Sequence, residues 1–176
     1  MAEHCTNNSV DRDVGAKWER HFCVWAQHYG KAFTAHQEAL KIKSAAWHVQ
    51  GASRPLPDVT LWTAPVEHHE IKHKEPTRNG CFGLEKYRFE SLVAFAEESQ
   101  ELVRYTIHDH SRCGGRSSDA NLLQDWFTVN VLDLLDAPHR EGLGFSWVSG
   151  RKQDVPVWYW STSLWIPLER AWATGA

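Results

Sequence analysis

A chain of 176 residues, 42% hydrophobic and 23% charged, is long enough to bury a core of its own and too apolar to stay disordered throughout. A formal net charge of −3 argues against a protein that coats nucleic acid by overall positive charge, although carboxylates gathered in an enzyme site would subtract charge locally. Cys5, Cys23, Cys81 and Cys113 form no C-x-x-C pair, no apolar run reaches the roughly 18 residues of a membrane span, and the first residues carry no basic-then-apolar leader, so a soluble cytoplasmic protein with reduced thiols is expected.

Residues 1–12 are polar and read as a flexible tail, followed by a single domain over 13–176. From Asp13, a plausible N-cap, Trp18, Phe22, Trp25 and Tyr29 recur as one face of a helix that Gly30 should stop. Residues 31–36 read as a short strand or loop, and GASRPLP as a loop. DVTLW is rich in β-branched and aromatic residues, TAP punctuates it, and EHHEIKHK returns as the second strand of an antiparallel hairpin. EPTRNGCFG reads as a flexible link, and LEKYRFESLVAFAEES as a helix with Tyr87, Leu92 and Phe95 in the core. ELVRYTIHDH alternates like a strand, and the Gly- and Ser-rich stretch SRCGGRSSDAN like a loop. From about residue 111 the chain forms an extension with no evident role. In it WFTVNV reads as a strand, LDLLDAP as a helical turn, HREGLGFSWVSGRKQD as irregular, VPVWYW as a strand, and SLWIPLERAWA as a terminal helix or helical turn. This order predicts an α/β fold, a mixed central sheet flanked by helices.

The chemistry concentrates on the hairpin. Alternate side chains of a strand share a face, so Glu70 and Lys72 point the same way, and a turn at 63–65 brings Asp58 opposite them. Charges in so apolar a setting are costly unless paired or bound to a metal. Carboxylate oxygens suit Mg²⁺, which completes its shell with waters and substrate phosphate. A lysine beside such an ion can orient or deprotonate an attacking water, or stabilise developing charge.

The arrangement P-D58…E70-x-K72 resembles the signature of the PD-(D/E)xK nuclease superfamily. The order of helix, loop, hairpin, helix and strand over residues 13–110 is similar to its Holliday-junction-resolvase branch. The resemblance implies a restriction-endonuclease-like core and a metal-dependent DNA endonuclease acting on branched or duplex DNA as a homodimer. It assigns Asp58 and Glu70 to Mg²⁺ (with Mn²⁺ as a substitute), assisted by the Ile71 carbonyl. Glu19, in GAKWERHF, takes the place of the family's helical glutamate, and Lys72 serves the nucleophilic water. A 5′-phosphate product is also implied by the family.

Other readings compete. Asp58 could be a turn residue with Glu70 and Lys72 on a solvated strand face, and Glu19 could be exposed beside Lys17 and Arg20. A sequence-specific restriction or anti-phage nuclease, or a catalytically silent nuclease fold that binds nucleic acid, would share these motifs. Arg54, Lys74, Arg78, Arg112 and Arg116 are the candidate phosphate contacts, with Lys41 and Lys43 a further basic pair. His68, His69, His73, His108 and His110 lack a recognised zinc spacing and read as surface or nucleic-acid-contacting residues. Trp158, Trp160, Trp165 and Trp172 read as core or dimer surface rather than a platform for bases.

Overall fold

The structure, a computed structural model, describes residues 8–36, 46–49, 52–113, 124–148 and 151–174. Its first helix, α1 (Asn8–His28), starts ahead of the Asp13 expected to cap it. Trp18, Phe22, Trp25 and Ala26 recur at helical spacing and are buried, whereas Tyr29, expected on the same face, is exposed and donates to Glu169. Gly30 ends the helix as expected. At φ +68° it lets its own N–H reach the Gln27 carbonyl and the Lys31 N–H reach the Ala26 carbonyl, satisfying the last turn.

Strand β1 (Phe33–Ala35) leads towards a small hairpin of β2 (Ala46–Val49) and β3 (Ala52–Pro55), which is followed by the predicted hairpin, β4 (Val59–Leu61) and β5 (Glu67–Lys74). The expected link at 75–83 ends in β6 (Cys81–Glu85), which takes the first two residues of the expected helix and runs straight into α2 (Lys86–Ser99). Then come β7 (Leu102–Asp109), β8 (Trp126–Asn130), the short helix α3 (Val131–Leu135), a long hairpin of β9 (His139–Val148) and β10 (Arg151–Ser161), β11 (Ile166–Pro167) and α4 (Leu168–Thr174). The β9–β10 hairpin replaces the irregular stretch expected at 139–154.

The fold class is as expected: α/β, with a mixed central sheet flanked by helices. Its strand order is β1-β4-β5-β7-β8-β11, and β5 and β7 run parallel while the other pairs are antiparallel. A second, antiparallel sheet has the order β6-β10-β9. Two cores sit on opposite faces of the central sheet. On one, Trp18, Phe22 and Trp25 of α1 pack with Val59, Leu61, Ile71, Trp126 and Leu168. On the other, Phe89, Leu92, Val93 and Ala96 of α2 pack with Val103, Tyr105, Ile107, Trp160 and Trp165. Both faces being covered, β5 and β7 are buried along most of their length.

The two faces of β5 therefore look into different interiors. His69 and His73 turn towards α1, where their rings meet Phe22 and Trp18, while Glu70 and Lys74 turn towards α2 and β6. The buried Glu67 joins Arg104 of β7 at 2.7 Å, an ion pair that ties the two parallel strands together on the α1 side. Tyr87, expected in the core, is 52% exposed; the α2 face that packs begins with Arg88 and Phe89.

Candidate active site

Strand pairing puts the motif residues together. Val59 lies opposite His69, so β4 begins just where β5 continues as Glu70-Ile71-Lys72. There the Asp58 side chain takes over from the missing strand: its Oδ2 accepts the Ile71 N–H at 2.8 Å. A residue in a strand sends its N–H and C=O to the same side, so the Ile71 carbonyl also points to the edge that Asp58 occupies. Asp58 is 5% exposed and Glu70 1%, so neither belongs to a solvated turn or strand face.

Both Glu70 oxygens are engaged. Lys72 Nζ donates to Oε1, and Arg88 Nη2, from the first turn of α2, donates to Oε2. Arg88 Nη2 also donates to the Leu56 carbonyl at 2.7 Å, and Lys72 Nζ lies 3.9 Å from Asp58 Oδ2. Arg88 escaped the sequence reading. Its signal was a lone basic residue four positions before Leu92 and eight before Ala96, on the stripe that α2 buries.

The charges at this site fall into two groups. Burial pushes the Glu70 carboxyl up, but Arg88 and Lys72 outweigh it and hold it down at about 2. Burial would lower the Lys72 ammonium, yet Glu70 and Asp58 keep it above the usual lysine range, so Lys72 is a proton donor here rather than a base. Burial, and next Glu70, push Asp58 up to about 6. Burial, and next Asp58, push Glu19 up to about 7. Glu19 is thus half-buried on α1 and within electrostatic reach of Asp58, Glu70 and Lys72, not a solvated neighbour of Lys17 and Arg20.

Among the described residues, no three His, Cys, Asp or Glu side chains gather as a cage for a metal ion. A closed zinc-type site therefore does not form among them. Magnesium asks for less: one or two carboxylates, several waters and substrate oxygens. Asp58 and Glu70 meet that need, and the upward push on Asp58 and Glu19, which comes first from burial and next from a neighbouring carboxylate, is one that a cation would oppose. The donor set fits a magnesium ion.

The candidate phosphate contacts are dispersed. Lys74 turns inward, its ammonium donating to the Gly83 carbonyl at 2.7 Å. Arg78 is exposed in the turn before β6. Arg112 is exposed, with its guanidinium 3.1 Å from Asp109 and over the ring of Phe127. Arg54 falls in β3, opposite Trp47. Arg116, Lys41 and Lys43 lie outside the described residues. Several histidines are internal structure rather than surface: His68 bonds Thr60 and Glu101, His69 bonds Thr106, and His73 and His108 meet at 3.2 Å against Trp18. Trp160 and Trp165 are core residues, and Trp158 and Trp172 are partly buried against the two cores. A cavity of about 390 Å³ opens between Lys31, Trp62, Pro65, Glu67, Arg104 and Trp172, and neither Asp58 nor Glu70 lines it.

No family model matches the chain, and no curated protein matches it. Among solved structures, it is similar to Hjc, a Holliday junction resolvase from the archaeal hyperthermophile Archaeoglobus fulgidus, with a TM-score of 0.49 and 16% sequence identity. The match covers 89% of this chain and 93% of that one. Function has to be read from the residues of this chain's own site. No helix among the described residues is long and apolar enough to cross a membrane.

Proposed function

We infer that this protein is a metal-dependent DNA endonuclease with a restriction-endonuclease-like core, selective for branched DNA as a Holliday-junction resolvase is. One observation carries the reading: Asp58, Glu70 and Lys72 meet at one buried strand edge, with Glu19 in electrostatic reach. Asp58 and Glu70 would hold Mg²⁺, or Mn²⁺ in its place, with the Ile71 carbonyl and Glu19 beside them. The ion supplies Lewis acidity towards phosphate oxygens. Lys72, kept protonated by its two carboxylates, orients the attacking water by hydrogen bonding and offers positive charge to the oxygens on which charge builds. Hydrolysis then breaks the bond from phosphorus to the 3′ oxygen and leaves a 5′-phosphate.

The test is cleavage of an immobile four-way junction, a linear duplex and single-stranded DNA with and without Mg²⁺, alongside Glu70→Ala. Paired symmetric nicks in the junction, abolished by the substitution and by removing the ion, are the expected result. Discrete cuts in linear duplex would replace the resolvase reading with a restriction-type one. A second reading, a silent nucleic-acid-binding fold, draws on Lys72 and Arg88 together occupying both Glu70 oxygens. It predicts binding that ignores Mg²⁺ and no cleavage of any substrate.

A further inference from the structure

Arg88 reaches two places at once. Its Nη2 donates to Glu70 Oε2 on β5 and to the carbonyl of Leu56, two residues before Asp58. A single nitrogen therefore links the strand that carries one ligand carboxylate to the loop that carries the other. The side chain is only 10% exposed. Its planar fork has little freedom to leave, and withdrawing it would strand both a carboxylate oxygen and a backbone carbonyl in a buried setting.

Lys72 differs on every count. Its side chain is 29% exposed, it ends a flexible stem, and it holds Glu70 through Oε1 alone, with Asp58 at the longer distance of 3.9 Å. Of the two cations on Glu70, Lys72 is therefore the freer to give way, and Oε1 is the oxygen it would release to a competing ion. Asp58 is built on the same plan, since its Oδ2 is already taken by the Ile71 N–H. Each carboxylate thus has one oxygen committed to a protein donor.

We propose that Arg88 is a positioning residue that confines Glu70 to one-oxygen coordination, and thereby makes the site favour a small octahedral cation such as Mg²⁺ over a larger one such as Ca²⁺. This rests on the reading of Asp58 and Glu70 as the metal site. The physical reason is the difference in shells: Ca²⁺ takes six to eight oxygens and gains from bidentate carboxylates, whereas Mg²⁺ keeps its waters and needs single oxygens at octahedral angles. Freed from Arg88, Glu70 can turn both oxygens to the ion.

The measurement is calorimetric titration of Mg²⁺ and Ca²⁺ into the protein without DNA, for the natural sequence, Arg88→Ala, Arg88→Lys and Glu70→Ala. The expected result is that Arg88→Ala moves the ratio of the two dissociation constants towards Ca²⁺ by roughly tenfold or more, the scale on which outer partners of metal ligands act. Arg88→Lys, which keeps a charge but not the fork, moves it less in the same direction, and serves as the readout if Arg88→Ala does not fold. A ratio unchanged in a folded Arg88 variant that still binds both ions overturns the role of Arg88 and leaves the metal site standing. Failure of the natural sequence to bind either ion, or binding that Glu70→Ala does not alter, overturns the metal site and this role with it.

Discussion

At the scale of the residue, the site is a balance of buried charge. Glu70 is held ionised by two cations, while burial and next Glu70 push Asp58 up to about 6, and burial and next Asp58 push Glu19 up to about 7. A carboxyl whose folded pKa lies above its unfolded one stabilises the protein in acid, and loses that contribution as the pH climbs through the folded value. Protons and a divalent cation then compete for the same oxygens. Mg²⁺ should therefore raise the melting temperature by several degrees near about pH 8 and scarcely at all near about pH 5, where Asp58 and Glu19 are protonated. Asp58→Asn should abolish the Mg²⁺ effect and, without the ion, melt no lower than the natural sequence near about pH 8. Thermal denaturation followed by circular dichroism reads both, and a melting temperature indifferent to Mg²⁺ near about pH 8 would count against the site. Of these residues, Asp58, Glu70 and Lys72 were readable from their spacing, because a strand repeats every two residues and a hairpin returns on itself. Arg88 was not, because its partners lie 18 and 32 positions away.

At the scale of the element, the second sheet is where structure and expectation part, and its glycines show how it packs. Gly142 and Gly144 lie inside β9, in the stretch expected to be irregular, where a Cβ would come within 2.9 Å of the Tyr159 ring and 2.6 Å of Val157 Cγ2. Gly83 of β6 stands opposite Tyr159 of β10, and a Cβ there would be 2.6 Å from the ring. Glycine here gives room for a neighbour across the sheet, not a turn. Gly83 also matters to the site's surroundings, since its carbonyl accepts from both Lys74 and Tyr105. Gly83→Ala should destabilise the protein by about 1–3 kcal/mol through overpacking, and Tyr159→Ala in the same chain should recover part of that loss. Urea unfolding of the two single variants and the double measures the coupling. Strictly additive costs would mean that the ring is not what Gly83 accommodates.

At the scale of the whole molecule, the proposed resolvase function asks for two strands to be cut together. A resolvase must nick opposite strands of a junction symmetrically, and a two-fold pair of identical sites is the simple way to do so. Two copies of the 20.2 kDa chain should therefore sediment with one immobile junction, in the presence of Ca²⁺ or with Glu70→Ala to prevent cleavage. A complex with a single copy, together with paired nicking by the natural sequence, would rule out the symmetric mechanism. The exposed Arg78 and Arg112 are the described candidates for contact with phosphate on this scale, while Lys74 already spends its ammonium on the protein's own backbone.

The sequence alone determined the elements whose apolar spacing is local: the buried face of α1 and its stop at Gly30, the β4–β5 hairpin, α2, β7 and the α/β class they imply. It also placed Asp58, Glu70 and Lys72 together, because a hairpin's geometry is short-range. The tertiary structure alone decided that Arg88 closes on Glu70. It also decided that 139–148 forms a strand, and that His69 bonds Thr106 and His73 meets His108 across the parallel pair of β5 and β7. These are contacts between residues far apart in the chain, whose energies depend on burial and on partners that no local pattern contains.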